Sequence, residues 1–201
     1  MQTIMTSNDR TAGFFDGYAS GFDAIYGNKN TLFNRFVNKA FRGVMRERFE
    51  RTLAGCSPIE GKSVLDIGSG PGIPGLVLAL VQPYERVWLV DSNGKKARFL
   101  RECVRRFGLT HCSVHEQRSE SLRADPGFTQ VVSRAYAELA DFVRSTRALL
   151  APGGCWLAMK GKYPEAEIAR LPADVRLSSS LRLQVPGADG ERHLLTLHPT
   201  V

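Results

Sequence analysis

Residues 64–75 read VLDIGSGPGIPG, and the fold is decided there. The run Lys62–Ile67 (KSVLDI) predicts a buried strand. It breaks at once into glycines, and Leu76–Val81 continues as a helix. Glycines at such a junction let the backbone turn sharply and approach a ligand closely, while the opening turn of the helix presents N–H groups. Gly70, Gly72 and Gly75 also fit G-x-G-x-x-G. Taken alone that spacing decides little, because turns use glycine for purely conformational reasons.

Downstream, strands and helices alternate. Arg86–Val90 (RVWLV) predicts a second strand, closed by Asp91. Lys95–Phe107 predicts a helix with an apolar stripe at Phe99, Leu100, Cys103, Val104 and Phe107. Cys112–His115 and Thr129–Ser133 predict the third and fourth strands. Leu139–Leu150 predicts a helix stopped by the Pro-Gly-Gly at 152–154, and Cys155–Lys160 a fifth strand. This order implies right-handed crossovers and a mostly parallel sheet with helices on both faces. Leu181–Val185 and His193–Leu197, joined by PGADGE, predict a closing antiparallel hairpin.

Upstream the grammar differs. Residues 1–12 are polar and aperiodic, and residues 13–26 crowd Phe14, Phe15, Tyr18, Phe22 and Tyr26 among small residues. Thr31–Leu53 carries the spacing of an amphipathic helix, with Arg35, Lys39, Arg42, Arg46 and Arg51 on its polar face. Two units are expected: an N-terminal helical and aromatic lid segment over 1–57, and an α/β domain over 58–201.

Composition narrows the class. A chain of 201 residues is one domain's worth, and 43% apolar with 23% charged residues excludes disordered and collagen-like chains. No apolar run approaches the ~18 residues of a membrane span. MQTIMTSNDRTAG lacks the basic and apolar regions of a secretory signal. Cys56, Cys103, Cys112 and Cys155 form no C-x-x-C pair, as expected of reduced thiols in a cytoplasmic protein. A formal charge of +7 favours an anionic partner, nucleic acid foremost, although solubility alone produces the same sign.

Two carboxylates point to the ligand. Asp66, at the end of the first strand, would repel a pyrophosphate and suits a ligand with an amino group or positive centre. Asp91, at the end of the second, suits both hydroxyls of an adenosine ribose. S-adenosylmethionine answers both. An NAD-dependent oxidoreductase would want a phosphate-friendly loop without Asp66. A catalytically silent cofactor-binding protein also remains open on these residues.

From about residue 61 to 198 the chain resembles the bacterial small-subunit ribosomal RNA guanine-N7 methyltransferases. The resemblance rests on LDIGSGPGIPG at 65–75, LVDSNGKKARFLRE at 89–102, VVSRAYAEL at 131–139, PGG and LAMKG within 152–161, and LQVPGADGERHLL at 183–195. It implies a class I, Rossmann-like methyltransferase fold, a mostly parallel seven-stranded sheet with a C-terminal antiparallel hairpin. It implies S-adenosylmethionine as cofactor, 16S ribosomal RNA or the small subunit as partner, and an enzyme of the cytoplasm. By the same resemblance Gly68, Gly70 and Ile73 belong to the cofactor loop, Asp91 to the ribose, and Ser119 and Glu120 to the adenine. Arg134 would lie beside the methionine end and the substrate. The family's opening W-N-x-x-x-N-L-T and R-H-x-x-D-S stretches do not occur in residues 1–60. There YASGFDAIYG resembles the aromatic lid of small-molecule methyltransferases, which gives the alternative: methylation of a small molecule under that lid.

The chemistry implied is economical. Guanine N7 offers a lone pair and carries no proton, so no general base is needed and none is nominated. Arg134 and Lys160 are the substrate-side candidates, suited to phosphate or to the O6/N7 edge of guanine. Lys160 is equally readable as a strand-end lysine reaching into water. Lys95, Lys96, Arg98, Arg101, Arg105 and Arg106 form either a phosphate-binding face or a solvated one. His111, Cys112 and His115 invite a metal, yet one short strand points them to opposite faces, so no metal is expected. His193, in the family's G-E-R-H-L stretch, is read as structural. A monomer without membrane attachment completes the expectation.

Overall fold

Every residue of Ser63–Ile67 (β1) is buried, because this strand sits inside the sheet and is covered on both faces. The computed structural model describes residues 61–81, 84–184 and 190–200. The readings over residues 1–57, and most of the turn between the last two strands, lie outside them. Arg86–Val90 (β2) and Phe128–Arg134 (β4) flank β1, both parallel to it. Cys112–His115 (β3) lies outside β2, and Leu150–Lys160 (β5) runs parallel beside β4. His193–Pro199 (β7) is antiparallel to β5 on one side and to Val175–Arg182 (β6) on the other. The order is therefore β3-β2-β1-β4-β5-β7-β6, and β7 alone runs against the rest. The sheet expected from the sequence, mostly parallel with a terminal hairpin, is the sheet observed.

Helices Gly75–Val81 (α1) and Gly94–Arg106 (α2) share one core with the sheet, built on Val64, Leu76, Leu78, Val87, Leu89 and Leu100. Leu139–Thr146 (α3) and the short Glu165–Ile168 (α4) belong to the other, around Leu65, Phe128, Val131, Phe142 and Trp156. Asn93 starts α2 by accepting N–H bonds from Lys95 at 3.0 Å and Lys96 at 3.3 Å. In the second core the Trp156 indole donates to Thr146 Oγ1 at 2.9 Å, so the buried polar tip has its partner.

Three boundaries depart from expectation by four residues or more. The helix beginning at Leu139 ends at Thr146, a 3-10 turn follows at Arg147–Leu149, and Leu150 already belongs to β5. The Pro-Gly-Gly thus lies inside a strand rather than before it. Leu150 pairs with Phe128 and the regular ladder resumes at Cys155 opposite Gln130, so the irregular step absorbs the intervening residues. β6 begins at Val175, six residues ahead of its reading, because an exposed edge strand carries no apolar alternation. Among the described residues no helix is long and apolar enough to cross a membrane.

Candidate functional site

The chain moves outward from β1 to β3 and then returns to the other side of β1 as β4. Loops leaving β1 and β4 diverge at that reversal, and in parallel sheets a crevice for ligands opens there. A cleft of about 270 Å³ occupies the position. Its walls include Gly68, Asp91, Ser119, Glu120, Ala135 and Tyr136.

The glycine turn reaches the cleft through Gly68, and five of its N–H groups are engaged within the protein rather than free. Those of Gly68 and Ser69 both donate to the Val90 carbonyl, at 2.9 and 3.0 Å, and that of Gly72 donates to the Ser69 carbonyl at 2.8 Å. Gly70 donates to Asp91 Oδ2 at 2.9 Å, and Gly75 to Asp66 Oδ2 at 3.0 Å. Asp66 is wholly buried and caps α1 from beneath instead of facing the cleft. Burial pushes its carboxyl up to about 7, against the opposing pull of the Gly75 N–H. Its other oxygen, Oδ1, has no hydrogen-bond partner among the described residues. Gly75 is required here because an added Cβ would stand 2.5 Å from Asp66 Cβ.

Asp91 joins the loop to α2. Its Oδ2 takes the Gly70 N–H, its Oδ1 takes the Asn93 N–H at 2.9 Å, and Lys96 Nζ lies 3.7 Å away. Each carboxylate oxygen can accept a second bond. On the facing wall the buried Ser119 hydroxyl lies 3.2 Å from Glu120 Oε2 and 2.8 Å from the Tyr136 hydroxyl. Tyr136 was not singled out in the sequence. Its signal was position, directly beyond the end of a central parallel strand. Ala135 before it holds φ +52, a conformation uncommon for a residue with a side chain.

The structure therefore gathers Gly68, Asp91, Ser119 and Glu120 around one cleft, with Gly70 bound to Asp91. Ile73 packs against the α1–α2 core and does not line the cleft. Half-buried Arg134 ends β4 opposite Met159, where its charge favours ionised Asp66. Lys160 Nζ donates to the Ala137 carbonyl at 2.8 Å and to Glu167 Oε2 at 2.7 Å. On α2, Glu102 engages both Arg105 and Arg106 at 2.8 Å, and these partners hold its carboxyl down at about 2. His111 Nε2 meets the Ala79 carbonyl at 3.0 Å, Cys112 enters the core, and His115 lies against Trp88 with ring centres 4.1 Å apart. His193 Nδ1 meets the Gly161 carbonyl at 3.1 Å.

A dinucleotide pyrophosphate finds little here, since the N–H groups of Gly68, Ser69, Gly70, Gly72 and Gly75 are already engaged and an acid caps the helix start. An adenosine without phosphate fits better. Asp91 has acceptor capacity for a ribose, and Ser119 and Glu120 offer polar edges for a base. S-adenosylmethionine joins such an adenosine, through a sulfonium and with no phosphate, to an amino acid end, so the residues present fit it.

Comparison with known proteins agrees with this geometry. Residues 22–195 match the family model described as rRNA small subunit methyltransferase G. The ribosomal RNA small subunit methyltransferase G of Laribacter hongkongensis is 46% identical over 146 residues, 73% of this chain and 70% of that protein. Its counterpart in Marinobacter nauticus is 52% identical over 132 residues, 66% and 62% of the two chains. The Stenotrophomonas maltophilia protein is 50% identical over 135 residues, covering 67% and 64%. The chain thus spans about two thirds of the length of these relatives. Among solved structures, the N-methyltransferase NodS of Bradyrhizobium japonicum superposes with TM-score 0.61 at 18% identity, over 79% of this chain and 97% of that one. A methyltransferase from Geobacter sulfurreducens, solved with S-adenosyl-L-homocysteine, gives 0.61 at 13% identity over 76% and 90%. At these identities the likeness is one of fold.

Proposed function

The chain belongs to the rRNA small subunit methyltransferase G family, and from that premise we propose that it methylates N7 of a guanine in small-subunit (16S) ribosomal RNA, using S-adenosylmethionine. The observation that carries the reading is the family match over residues 22–195. It takes in most of the aromatic stretch YASGFDAIYG, which favours RNA over the small-molecule alternative.

In this reading Asp91 accepts hydrogen bonds from the ribose, while Ser119 and Glu120 border the adenine. Gly68 and Gly70 keep the floor of the cleft low, and Ile73 supports the loop from the core side. Arg134 serves the methionine end and the guanine edge, where its planar fork suits O6 and N7. S-adenosylmethionine supplies the methyl group from a sulfonium, a good leaving group. The guanine N7 lone pair has no proton to lose, so the protein's task is orientation and exclusion of water rather than base catalysis. The unit from residue 58 onward would form the cofactor domain. The protein would act as a monomer, without a metal, in the cytoplasm where ribosomal subunits assemble.

The test is transfer of labelled methyl from S-adenosylmethionine to small ribosomal subunits lacking N7 methylation, with the labelled nucleoside identified afterwards. Label in N7-methylguanosine is expected. Label in another nucleoside, or none beside measurable cofactor binding, would discard the acceptor.

A further inference from the structure

Lys160 ends β5 at the same edge of the sheet as the cleft, yet its ammonium is engaged by protein. Nζ donates to the Ala137 carbonyl at 2.8 Å and to Glu167 Oε2 at 2.7 Å. The same Oε2 accepts the Leu139 backbone N–H at 2.8 Å. The two side chains are 17% and 22% exposed, against 65% for both members of the surface pair Arg144–Asp141. A shielded, multiply bonded pair of this kind constrains geometry far more than a surface pair does.

What the pair constrains is the segment from the end of β4 into the first residue of α3. Two of its backbone groups, at Ala137 and Leu139, are tied to one lysine–glutamate unit. Just before them Ala135 holds φ +52, a conformation that persists only where its surroundings enforce it. Between the strained residue and the tie stands Tyr136. Its ring lies so close over the glycine loop that a Cβ on Gly68 would stand 2.9 Å from Cδ2, and its hydroxyl is 2.8 Å from Ser119 Oγ. Tyr136 thus connects both sides of the cleft.

We propose that Lys160 and Glu167 form a latch that holds Tyr136 as a wall of the cofactor cleft, making Lys160 a positioning residue for the cofactor rather than a group that touches the acceptor. The proposal rests on the reading of the cleft as an S-adenosylmethionine site. Without the latch, Ala135 relaxes from its left-handed conformation and Tyr136 loses its register with Ser119. Cofactor affinity then suffers before any acceptor is present.

The experiment is calorimetric titration of S-adenosylmethionine into the full chain, comparing the unmodified protein with Lys160→Met, Glu167→Gln, the double variant and Tyr136→Phe. Lys160→Met is expected to weaken binding about tenfold, or ~1.4 kcal/mol. Glu167→Gln retains an acceptor for the Leu139 N–H and is expected to cost less, which keeps the test usable should the lysine variant fold poorly. The double variant should bind within about twofold of the weaker single one, since members of one unit are not additive. Tyr136→Phe, lacking only the bond to Ser119, should fall between the unmodified chain and Lys160→Met. Asp174→Asn, which breaks the exposed Arg147–Asp174 pair, should leave affinity unchanged. Unchanged affinity in Lys160→Met together with lost methyl transfer would overturn the latch and return Lys160 to the acceptor. Independent, additive losses would overturn it too. Failure of the unmodified chain to bind S-adenosylmethionine would instead overturn the cofactor reading, and the latch with it.

Discussion

Two of the loops that line the cleft, those after β1 and β4, are stabilised by opposite means. The turn after β1 is held through its own backbone: Val90 and Ser69 carbonyls and the Asp91 and Asp66 carboxylates absorb five of its N–H groups, and glycines remove the side chains that would interfere. The segment after β4 is held by side chains, through Lys160, Glu167 and the Tyr136–Ser119 contact, and it includes a strained alanine. A backbone-satisfied turn is fixed wherever its strands are fixed. A side-chain-held segment has its geometry set by distant residues and yields when one of them changes. The cleft thus combines one invariant wall with one conditional wall.

The largest way to break this comparison is to crowd the first loop. Gly75→Ala places a Cβ 2.5 Å from both Asp66 Cβ and Leu89 Cδ2, in a fully buried site. We expect a loss of about 3 kcal/mol in urea unfolding, at the upper end for overpacking. A loss under about 1 kcal/mol would mean that the floor gives way easily and that the two walls do not differ as described.

Asp66 sharpens the same point through pH. Its folded carboxyl titrates at about 7 against 3.8 unfolded, so the folded state holds a proton that the unfolded chain has released. Its contribution to stability is complete below 3.8 and is lost as pH rises through about 7, with a slope up to ~1.4 kcal/mol per pH unit. Stability of Asp66→Asn, followed by thermal melts across that window, should lack this decline. A parallel decline in the variant would assign it to other groups.

Asp91→Ala removes the one charged acceptor shared by the turn and α2. A weakening of cofactor binding by about tenfold to hundredfold is expected, the loss of charged hydrogen bonds worth roughly 1.5–3 kcal/mol. Unchanged affinity would remove the ribose role. The smallest effect is expected from Arg170→Ala. Its pair with Glu138 touches the second loop too, but both side chains are more than half exposed, at 58% and 53%. Loss of about 0.5 kcal/mol or less would show that only the shielded pair governs that loop. A loss as large as that of Lys160→Met would spread the control over the whole surface.

Much of this was legible in the sequence. β2 and β3 have the limits their apolar runs gave, and the strand-glycine-helix junction at 64–75 fixed where a ligand cleft would open. Asp91, Ser119 and Glu120 meet there although α2 and β3 intervene between them. What escaped reading depended on contacts across the sheet. Asp66 looks like a ligand acceptor along the chain, and only the packing of α1 on β1 turns it into a buried cap. Lys160 looks like a free cation until α4, four residues too short to show periodicity, brings Glu167 beside it. The interior position of Pro-Gly-Gly in β5 was hidden because strand pairing, not local propensity, sets where β5 begins.

The reversed strand β7 has a consequence for how the chain is made. β5 and β6 precede it in sequence, yet they do not touch one another in the sheet; β7 inserts between them. As the polypeptide leaves the ribosome, β6 has no native partner and β5 presents an unpaired edge until His193–Pro199 has emerged. Exposed strand edges recruit neighbouring chains. The serines and arginines of β6, VRLSSSLR, keep that waiting strand polar and charged, poorly suited to adhesion. The seven residues of β7 therefore work as a keystone, closing two open edges in a single step at the end of synthesis of the sheet.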